Sequence, residues 1–394
     1  MLRFKGGIHP DEHKYTAKSK IVDITPPSTV FIPLYGKKTV VSVGDWISVG
    51  DPLTFDYSVH SSVSGRIAEI TGDIAIIESD GYMTKSIAVR PFTKKLTDST
   101  PEELSRHIFK LGIMNEGTFL SEIIKNKSEK ASILMVSCGE TEPFLCTEHR
   151  CITETAREVL FGAKILMKAL CLKKIVFTFS VNQRKQINAL KKLTKTLTYV
   201  SVECHSTKYP ADRKEILLRS YILAHLSQAS ALCRDSFVYI RPTTCAAVFE
   251  GFKTGLPAVT QVITVDGDKA LKPSTLRVPI GTEIKYVLDK TYTTLDDHTQ
   301  LLNGGPISGT PISADGYVEK STKALIALGK KYTTYTVGEC IYCDSCHKVC
   351  PEGLYPMLFN QGDTNGFDKC IKCGSCSYVC PAKLDFSVDV EDKQ

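Results

Sequence analysis

Two copies of one cysteine pattern decide the fold of the C-terminal region: CIYCDSCHKVCP over residues 340–351 and CIKCGSCSYVCP over residues 370–381. Each copy reads C-x2-C-x2-C-x3-C-P, the spacing with which bacterial ferredoxins hold 4Fe–4S cubanes. Three thiolates on a short loop can bind three irons of one cubane, and the fourth lies beyond and reaches the other cluster. The duplicated run therefore predicts a ferredoxin-type domain with two neighbouring clusters.

The exchange of fourth ligands predicts two sets of thiolates. One cluster is expected on Cys340, Cys343, Cys346 and Cys380, and the other on Cys370, Cys373, Cys376 and Cys350. Structural zinc is the alternative, but zinc modules use paired C-x2-C knuckles that make one four-ligand site. Three cysteines at i, i+3 and i+6 followed by a Cys-Pro favour clusters.

The rest of the composition fits a redox protein of the cell interior. The chain has 394 residues and 15 cysteines, and the seven outside the two runs read as small buried hydrophobes: Cys138, Cys146, Cys151, Cys171, Cys204, Cys233 and Cys245. The formal net charge of +6 comes from scattered basic residues, so we expect no nucleic-acid partner. No apolar run approaches the ~20 residues of a membrane span. No signal peptide is visible, which favours a cytoplasmic location.

The N-terminal segment, residues 1–99, predicts short β-strands. Alternating runs between Val30 and Ile70 are broken by Gly, Pro and Asp. The stretch VGDWISVG at 43–50, followed by SVSGRI at 62–67, resembles the barrel-sandwich hammerhead of lipoyl and biotinyl domains. Their carrier lysine has no counterpart in the turn at 59–62, which reads VHSS, so the resemblance implies a shape and no swinging arm.

Residues 100–270 predict an α/β domain with a parallel sheet. Strands are expected at 132–137, 174–179, 199–202 and 237–240, alternating with helices at 149–172, 183–197 and 212–226. Residues 271–332 return to β and turn chemistry and predict a small mixed domain. The cysteine module occupies residues 333–394.

Several short stretches along the whole chain resemble the C subunit of Rnf-type ion-translocating electron-transport complexes. They are FKGGIHP at 4–10, GETEPFL with His149 and Arg150 at 139–150, KYP at 208–210, VITVDG at 262–267, LRVPIGT at 276–282 and NGGP at 303–306. The resemblance implies, in order, a barrel-sandwich, a Rossmann-like domain similar to the NADH-binding subunit of complex I, an SLBB-type β-grasp domain and the ferredoxin module.

The same resemblance implies a flavin and nucleotide site in the Rossmann-like domain, with FMN and NADH as its ligands. The residues that match are Gly112, Gly117, Glu140, Glu142 and Lys208. The family has a glycine-rich loop of the form G-x-G-G-A-x-F-P-T, but here the stretch 112–121 reads GIMNEGTFLS. Asn115 and Glu116 replace a glycine pair, and a glutamate there would repel a phosphate. Whether FMN and NADH bind stays open, as does the alternative that Glu140 and Glu142 only cap a helix.

The sequence is compatible with three functions. The first is a subunit on the cytoplasmic face of an Rnf-type complex in the inner membrane, with membrane subunits and another cluster-bearing subunit or ferredoxin as partners. The second is a soluble relative that feeds electrons to a reductase without NADH or FMN chemistry. The third, a scaffold whose clusters are only structural, is disfavoured by the duplicated ferredoxin run.

Overall fold

The computed structural model describes residues 1–225, 232–333, 337–359, 361–363 and 365–386. The predicted fold class is confirmed: a β domain, an α/β domain with a parallel sheet, a mixed β domain and a ferredoxin-type module follow one another.

The N-terminal domain is a twisted antiparallel sheet. After β1 (Ile21–Asp23), which joins another sheet, come β2 (Thr29–Pro33), β3 (Trp46–Ile47), β4 (Gly65–Thr71) and β5 (Ile74–Ser79), paired in the order β2-β5-β4-β3. Alternate residues such as Val30, Ile32, Ile67 and Ile77 are fully buried on one face, the period of two expected of a half-buried strand.

The α/β domain is built around four parallel strands. Its elements are α1 (Pro101–Phe109), β6 (Met114–Asn115), β7 (Thr118–Phe119), α2 (Leu120–Lys125), β8 (Ile133–Ser137), α3 (Thr147–Glu154), α4 (Ala156–Ala169), β9 (Lys174–Ser180), α5 (Arg184–Thr194), β10 (Val200–His205), α6 (Lys214–Ala224), β11 (Phe237–Ile240) and α7 (Pro242–Thr254). The order β10-β9-β8-β11, with every pair parallel, is half of a doubly wound sheet. Its strand order reverses between β8 and β11.

The single helix predicted over 149–172 was wrong in one respect, because α3 and α4 are separate helices. They meet at Thr155, whose backbone (φ −129°, ψ 36°) is not helical. Its hydroxyl donates to the carbonyl of Cys151 at 2.8 Å. A threonine that hydrogen-bonds back to the preceding turn competes with the helix.

The third domain is a mixed sheet covered by one helix. It contains β12 (Thr260–Asp266), β13 (Ser274–Pro279), α8 (Ile284–Lys290), β14 (Gln300–Asn303), β15 (Thr310–Pro311) and β16 (Ala324–Leu328), in the order β1-β13-β12-β16-β14-β15. The sheet therefore extends beyond the range 271–332, because it takes β12 from before it and β1 from the N-terminal segment.

The C-terminal module repeats one backbone conformation twice. Short helices α9 (Lys330–Thr333), α10 (Ser345–Val349), α11 (Pro356–Phe359) and α12 (Ser375–Val379) are joined by loops. Positive φ angles recur thirty residues apart, at Tyr342 and Lys372, Asp344 and Gly374, Gly353 and Lys383. The two cysteine loops therefore share their shape as well as their sequence.

Burial of the seven other cysteines agrees with prediction only in part. Cys138, Cys146, Cys151 and Cys245 are buried, and Cys204 and Cys233 are half-buried. Cys171 is exposed, so its assignment to the core was wrong. It lies in the turn after α4, with φ of 54°, where the chain leaves the core.

The contact between α4 and α7 generates a stability prediction. A Cβ added at Gly162 would lie 1.8 Å from the carbonyl oxygen of Cys245, so the two helices approach each other backbone to backbone at this point. Gly162→Ala should lower the free energy of unfolding by about 1–3 kcal/mol, because overpacking forces the helices apart. Thermal melting of the cluster-loaded protein under anaerobic conditions, followed by circular dichroism, measures it.

Arg157→Ala, at an exposed site on the same helix, is the matched control and should leave the melting temperature nearly unchanged. Equal melting temperatures for Gly162→Ala and wild type would contradict the close approach of α4 and α7.

Candidate functional site

The eight cysteines of the two runs line two small cavities. Cys340, Cys343, Cys346 and Cys380 line one, which we call the distal cavity. Cys350, Cys370, Cys373 and Cys376 line the other, the proximal cavity. These are the two sets that the exchange of fourth ligands predicts. Phe386 lines both cavities, so the two sites are neighbours.

The surroundings of the cysteines suit thiolates bound to a cation. The amide of Leu354 donates to Sγ of Cys350 at 3.3 Å, and that of Lys372 donates to Sγ of Cys370 at 3.4 Å. Burial raises the pKa of the Cys376 thiol to about 12. A bare thiolate is therefore disfavoured there at neutral pH, and a bound metal supplies the positive charge that stabilises it.

A third and much larger cavity, of about 930 Å³, lies between the α/β domain and the mixed sheet. Its walls include residues that follow β8, such as Glu140 and Glu148, and residues that follow β11, such as Arg241 and Thr243. It thus lies outside the carboxyl ends of the strands where the strand order reverses, the place where doubly wound sheets bind ligands. We call it the switch-point cavity.

A half-buried arginine, Arg241, dominates the electrostatics of this cavity. Nε of Arg241 lies 2.9 Å from Oε1 of Glu116, and its Nη1 lies 3.7 Å from Oδ2 of Asp212. Nζ of Lys323 is 3.8 Å from the same oxygen of Glu116. Burial alone would raise the pKa of Glu116, but Arg241 and Lys323 outweigh it and hold that pKa below its usual value.

The N-terminus of α7, which faces the cavity, is capped by side chains of the chain itself. Glu148 accepts from the amide and hydroxyl of Thr243 at 2.9 and 2.8 Å. Oδ1 of Asn115 accepts from the amide of Arg241 at 2.9 Å and from the hydroxyl of Thr244 at 3.0 Å. Since Pro242 has no N–H, the first amide that α7 could offer to an anion is that of Thr243, and Glu148 engages it.

Glu140 and Glu142 both line the switch-point cavity and also hold backbone in place. Oε2 of Glu140 accepts from the amide of His149 at 2.8 Å, which caps α3. Oε1 of Glu142 accepts from the amides of Ile307 and Ser308 at 3.1 and 2.7 Å, so it fixes the turn after β14. The structure thus shows the capping alternative for Glu140 together with placement at the cavity wall.

Gly112, Gly117 and Lys208 are outside the set of described residues that line the cavity. Gly112 packs at a domain junction: a Cβ there would lie 2.4 Å from the carbonyl oxygen of Ser58 and 2.9 Å from Nζ of Lys320. Gly117 is the second residue of the turn between β6 and β7, with φ of 83°. Nζ of Lys208 lies 4.6 Å from the ring centroid of Phe4.

Two residues connect the switch-point cavity to the proximal cysteine loop. Tyr209 and Arg213 line the cavity. The hydroxyl of Tyr209 donates to the carbonyl of Cys373 at 2.5 Å, and Nη1 of Arg213 donates to the carbonyl of Ile371 at 3.0 Å. The proximal cavity is therefore the one held against the α/β domain.

Sequence reasoning missed Arg241, Glu148, Asp212 and Arg213 as site residues. A signal was available for Arg241, because it is the first residue after β11, and side chains that follow parallel strands gather at one edge of the sheet. A signal was also available for Glu148, because it lies directly before His149 in the stretch that resembles the family. Nothing in the sequence indicates which cation pairs with Glu116.

Three family models match consecutive parts of the chain. Residues 2–91 match an RnfC barrel sandwich hybrid domain, residues 114–232 a Nuo51 FMN-binding domain and residues 333–384 a 4Fe-4S dicluster domain. Over 394 aligned residues the chain is 30% identical to the C subunit of the Na⁺-translocating ferredoxin:NAD⁺ oxidoreductase complex of Acetobacterium woodii, covering 93% of this chain and 88% of the relative. The chain belongs to the family of C subunits of Rnf-type complexes.

Other relatives lie at similar distance. The chain is 28% identical to the C subunit of the ion-translocating oxidoreductase complex of Rhodobacter capsulatus, over 93% of this chain and 76% of the relative. It is 28% identical to the C subunit of the proton-translocating ferredoxin:NAD⁺ oxidoreductase complex of Clostridium ljungdahlii, over 91% and 83%. The match to the dicluster domain supports two 4Fe–4S clusters in the C-terminal module.

Among solved structures, an NAD⁺-reducing [NiFe]-hydrogenase chain is similar with a TM-score of 0.48 and 14% identity, over 73% of this chain and 60% of that one. This likeness is too distant to bear on function. Within the part of the chain that the structure describes, no helix is long and apolar enough to cross a membrane.

The residues of the switch-point cavity fit only part of FMN. The position at the carboxyl ends of the strands and the volume suit a ring system of that size. The phosphate of FMN does not fit, because the cation that could bind it, Arg241, is paired with Glu116. Glu148 and Asn115 accept hydrogen bonds from the amides at the start of α7.

The two cysteine sets generate a prediction about the exchanged ligands. Cys380→Ser should weaken the distal cluster, although Cys380 belongs to the second run, and Cys350→Ser should weaken the proximal one. Electron paramagnetic resonance of the dithionite-reduced protein, with iron analysis, measures the loss of each cluster. Cys380→Ser should lose the same signal as Cys343→Ser, and Cys350→Ser should lose the same signal as Cys373→Ser. Cys171→Ser is the control outside both sets. Loss of the second-run signal in Cys380→Ser would contradict the exchanged ligands.

The half-buried Glu148 generates a pH prediction. Burial raises its pKa to about 7, against the opposing effect of Arg241. The folded state then binds more protons than the unfolded state between about pH 4.5 and 7, so this group makes stability fall as pH rises through that window. Glu148→Gln should remove this contribution, roughly 1–3 kcal/mol, and gain stability relative to wild type at pH 8.

Urea denaturation at pH 5 and pH 8 measures the change, with Glu158→Gln, elsewhere on the cavity wall, as the control for loss of one carboxylate. A stability difference between Glu148→Gln and wild type that is the same at both pH values would contradict the raised pKa.

Proposed function

We propose that this chain is the electron-transfer subunit on the cytoplasmic face of a membrane-bound Rnf-type complex that couples electron transfer to ion translocation. The observation that carries the proposal is the position of the proximal cysteine loop, which Tyr209 and Arg213 hold against the switch-point cavity. The family relationship over 93% of the chain supports the assignment to such a complex.

The residues of the chain perform three tasks in this role. The eight cysteines hold the clusters, each of which takes up and releases one electron at a time when bound. The shared wall at Phe386 keeps the two cysteine sets adjacent. The ion pair of Arg219 with Glu352, at 2.6 Å, and the bond from Arg219 to the carbonyl of Pro351, at 2.9 Å, fix the module to α6.

The distal set supports a partner at the opposite side of the module. Cys343 is exposed. Its neighbours Ile341 and Tyr342 expose 66% and 68% of their surface, a large amount for apolar side chains. We propose that another cluster-bearing subunit or a ferredoxin docks there, within electron-transfer reach of the distal site.

The second candidate function is a soluble relative that feeds a reductase and has no flavin. The ion pair between Glu116 and Arg241 favours it, since it occupies the anion-binding end of the switch-point cavity. Both candidates use the same two clusters, and they differ in partners and in membrane attachment.

Fractionation of the native host separates the two. In the proposed role the chain sediments with membranes, together with multi-span subunits, and is released from them by high salt because it is held by protein contacts. Recovery in the soluble fraction at low salt, together with a reductase, would contradict the membrane role. A peripheral subunit of known membrane attachment and a soluble ferredoxin serve as controls.

Cluster function has its own test. The anaerobically purified chain should contain roughly eight iron atoms and as much sulfide per chain, as two cubanes require. Arg213→Ala, which removes the bond to the Ile371 carbonyl, should slow reduction of the proximal cluster by a partner without changing the iron content. Lys191→Ala, at an exposed site on α5, is the control for loss of one cation and should leave both the reduction rate and the iron content at wild-type values. Loss of iron in Arg213→Ala would show that Arg213 holds the cluster loop together and does not position it.

A further inference from the structure

The turn between β6 and β7 places a carboxylate where its backbone does not favour one. Glu116 and Gly117 form the two-residue turn of this hairpin, with φ of 48° and 83°. Positive φ at both positions marks a type I′ turn, which favours Asn, Asp or Gly. A glutamate in the left-handed region is disfavoured by Cβ sterics.

The contribution of Glu116 is a close ion pair inside the switch-point cavity. Its Oε1 accepts from Nε of Arg241 at 2.9 Å and lies 3.8 Å from Nζ of Lys323. The side chain of Arg241 is only 15% exposed and that of Glu116 28%, so the pair is partly shielded, with Glu116 on the solvent side in an exposed turn. One carboxylate thus engages two of the cations that line this cavity.

The position of this ion pair is the position at which such a sheet holds phosphate. A phosphate at a switch point is bound by a helix N-terminus and by neighbouring cations. Here Arg241 directly precedes α7, and its guanidinium could form a two-pronged contact with a phosphate. Instead it faces Glu116, while Asn115 and Glu148 accept the bonds from the first residues of the helix.

The remaining groups on this wall add negative charge. Asp212 lies 3.7 Å from Arg241 and also accepts from the hydroxyl of Thr141. Glu140 and Glu148 line the same cavity. A dianionic phosphate entering here would be repelled by carboxylates on several sides. Arg241, the main cation available to it, would first have to break its ion pair with Glu116.

We propose that the carboxylate of Glu116 is a built-in substitute for a ligand phosphate, so that the switch-point cavity of this chain excludes phosphomonoesters such as FMN. The remaining space, about 930 Å³, still admits an uncharged ring system. The role of the clusters in electron transfer does not depend on this exclusion of phosphomonoesters. Glu116 acts as a specificity residue: it decides between a ligand with a phosphate and the same ligand without one.

Riboflavin and FMN are the probes that test this directly, because they differ only in the phosphate. Both are titrated into the anaerobically purified, cluster-loaded protein and followed by quenching of flavin fluorescence. Wild type should bind FMN no more tightly than riboflavin. Glu116→Gly should bind FMN about tenfold or more tightly than wild type does, the gain expected from one charge-assisted contact, and its riboflavin affinity should stay the same.

Glu116→Gln is the second variant, because it keeps the length of the side chain while removing the charge. It should shift FMN affinity in the same direction by a smaller factor. Glu129→Gly, an equivalent change in an exposed turn, is the matched control and should leave both affinities at wild-type values. Iron content and the resonance spectrum of each sample report on the clusters separately.

Three results would overturn the proposal. One is wild-type protein that purifies with stoichiometric FMN or binds FMN tenfold more tightly than riboflavin. The second is FMN affinity that is unchanged in both Glu116→Gly and Glu116→Gln. The third is an equal gain for riboflavin and FMN, since Glu116 would then obstruct the ring and not replace the phosphate.

Discussion

The relative positions of the α/β domain, the mixed sheet and the cysteine module depend on hydrogen bonds between Glu142 and the turn that follows β14. Its carboxylate accepts from two amides and a hydroxyl of Ile307 and Ser308, and a charged acceptor makes such bonds stronger than a neutral one would. The carbonyl of Ile307 in turn lies against Gly374, where a Cβ would come within 2.1 Å. One loop carboxylate of the α/β domain thereby positions the mixed sheet, and through it the proximal cysteine loop.

The cluster module is held against the rest of the chain by a small apolar cluster together with directed hydrogen bonds. Ile8 and Tyr209 form a small apolar cluster with Cys373 of the module, and polar contacts of Tyr209, Arg213 and Arg219 fix its orientation. Most of these end on backbone carbonyls, which cannot rotate away as side chains can. The position of the proximal site is thus fixed by backbone geometry, and the distal site is left facing outward.

Local features of this protein could be predicted from the sequence, and long-range pairings could not. The cysteine spacing predicts the two sets that the cavities contain, and the apolar run of β8 predicts a buried strand. The ion pair of Glu116 with Arg241 joins residues 125 positions apart, and no local pattern encodes that distance. The altered glycine loop did indicate where the site departs from its family, but the cation that compensates for the charge became visible only in three dimensions.

The first strand of the chain lies at the edge of a sheet made mostly by the last third. β1 pairs with β13, with Ile21 beside Thr275 and Asp23 beside Arg277. During synthesis β1 has no strand to pair with until the ribosome has made β13, in the third domain. Completion of the mixed sheet is therefore a late, non-local event, and such contacts slow folding. An exchange of the N-terminal segment between relatives would therefore have to include β13, the strand that pairs with β1.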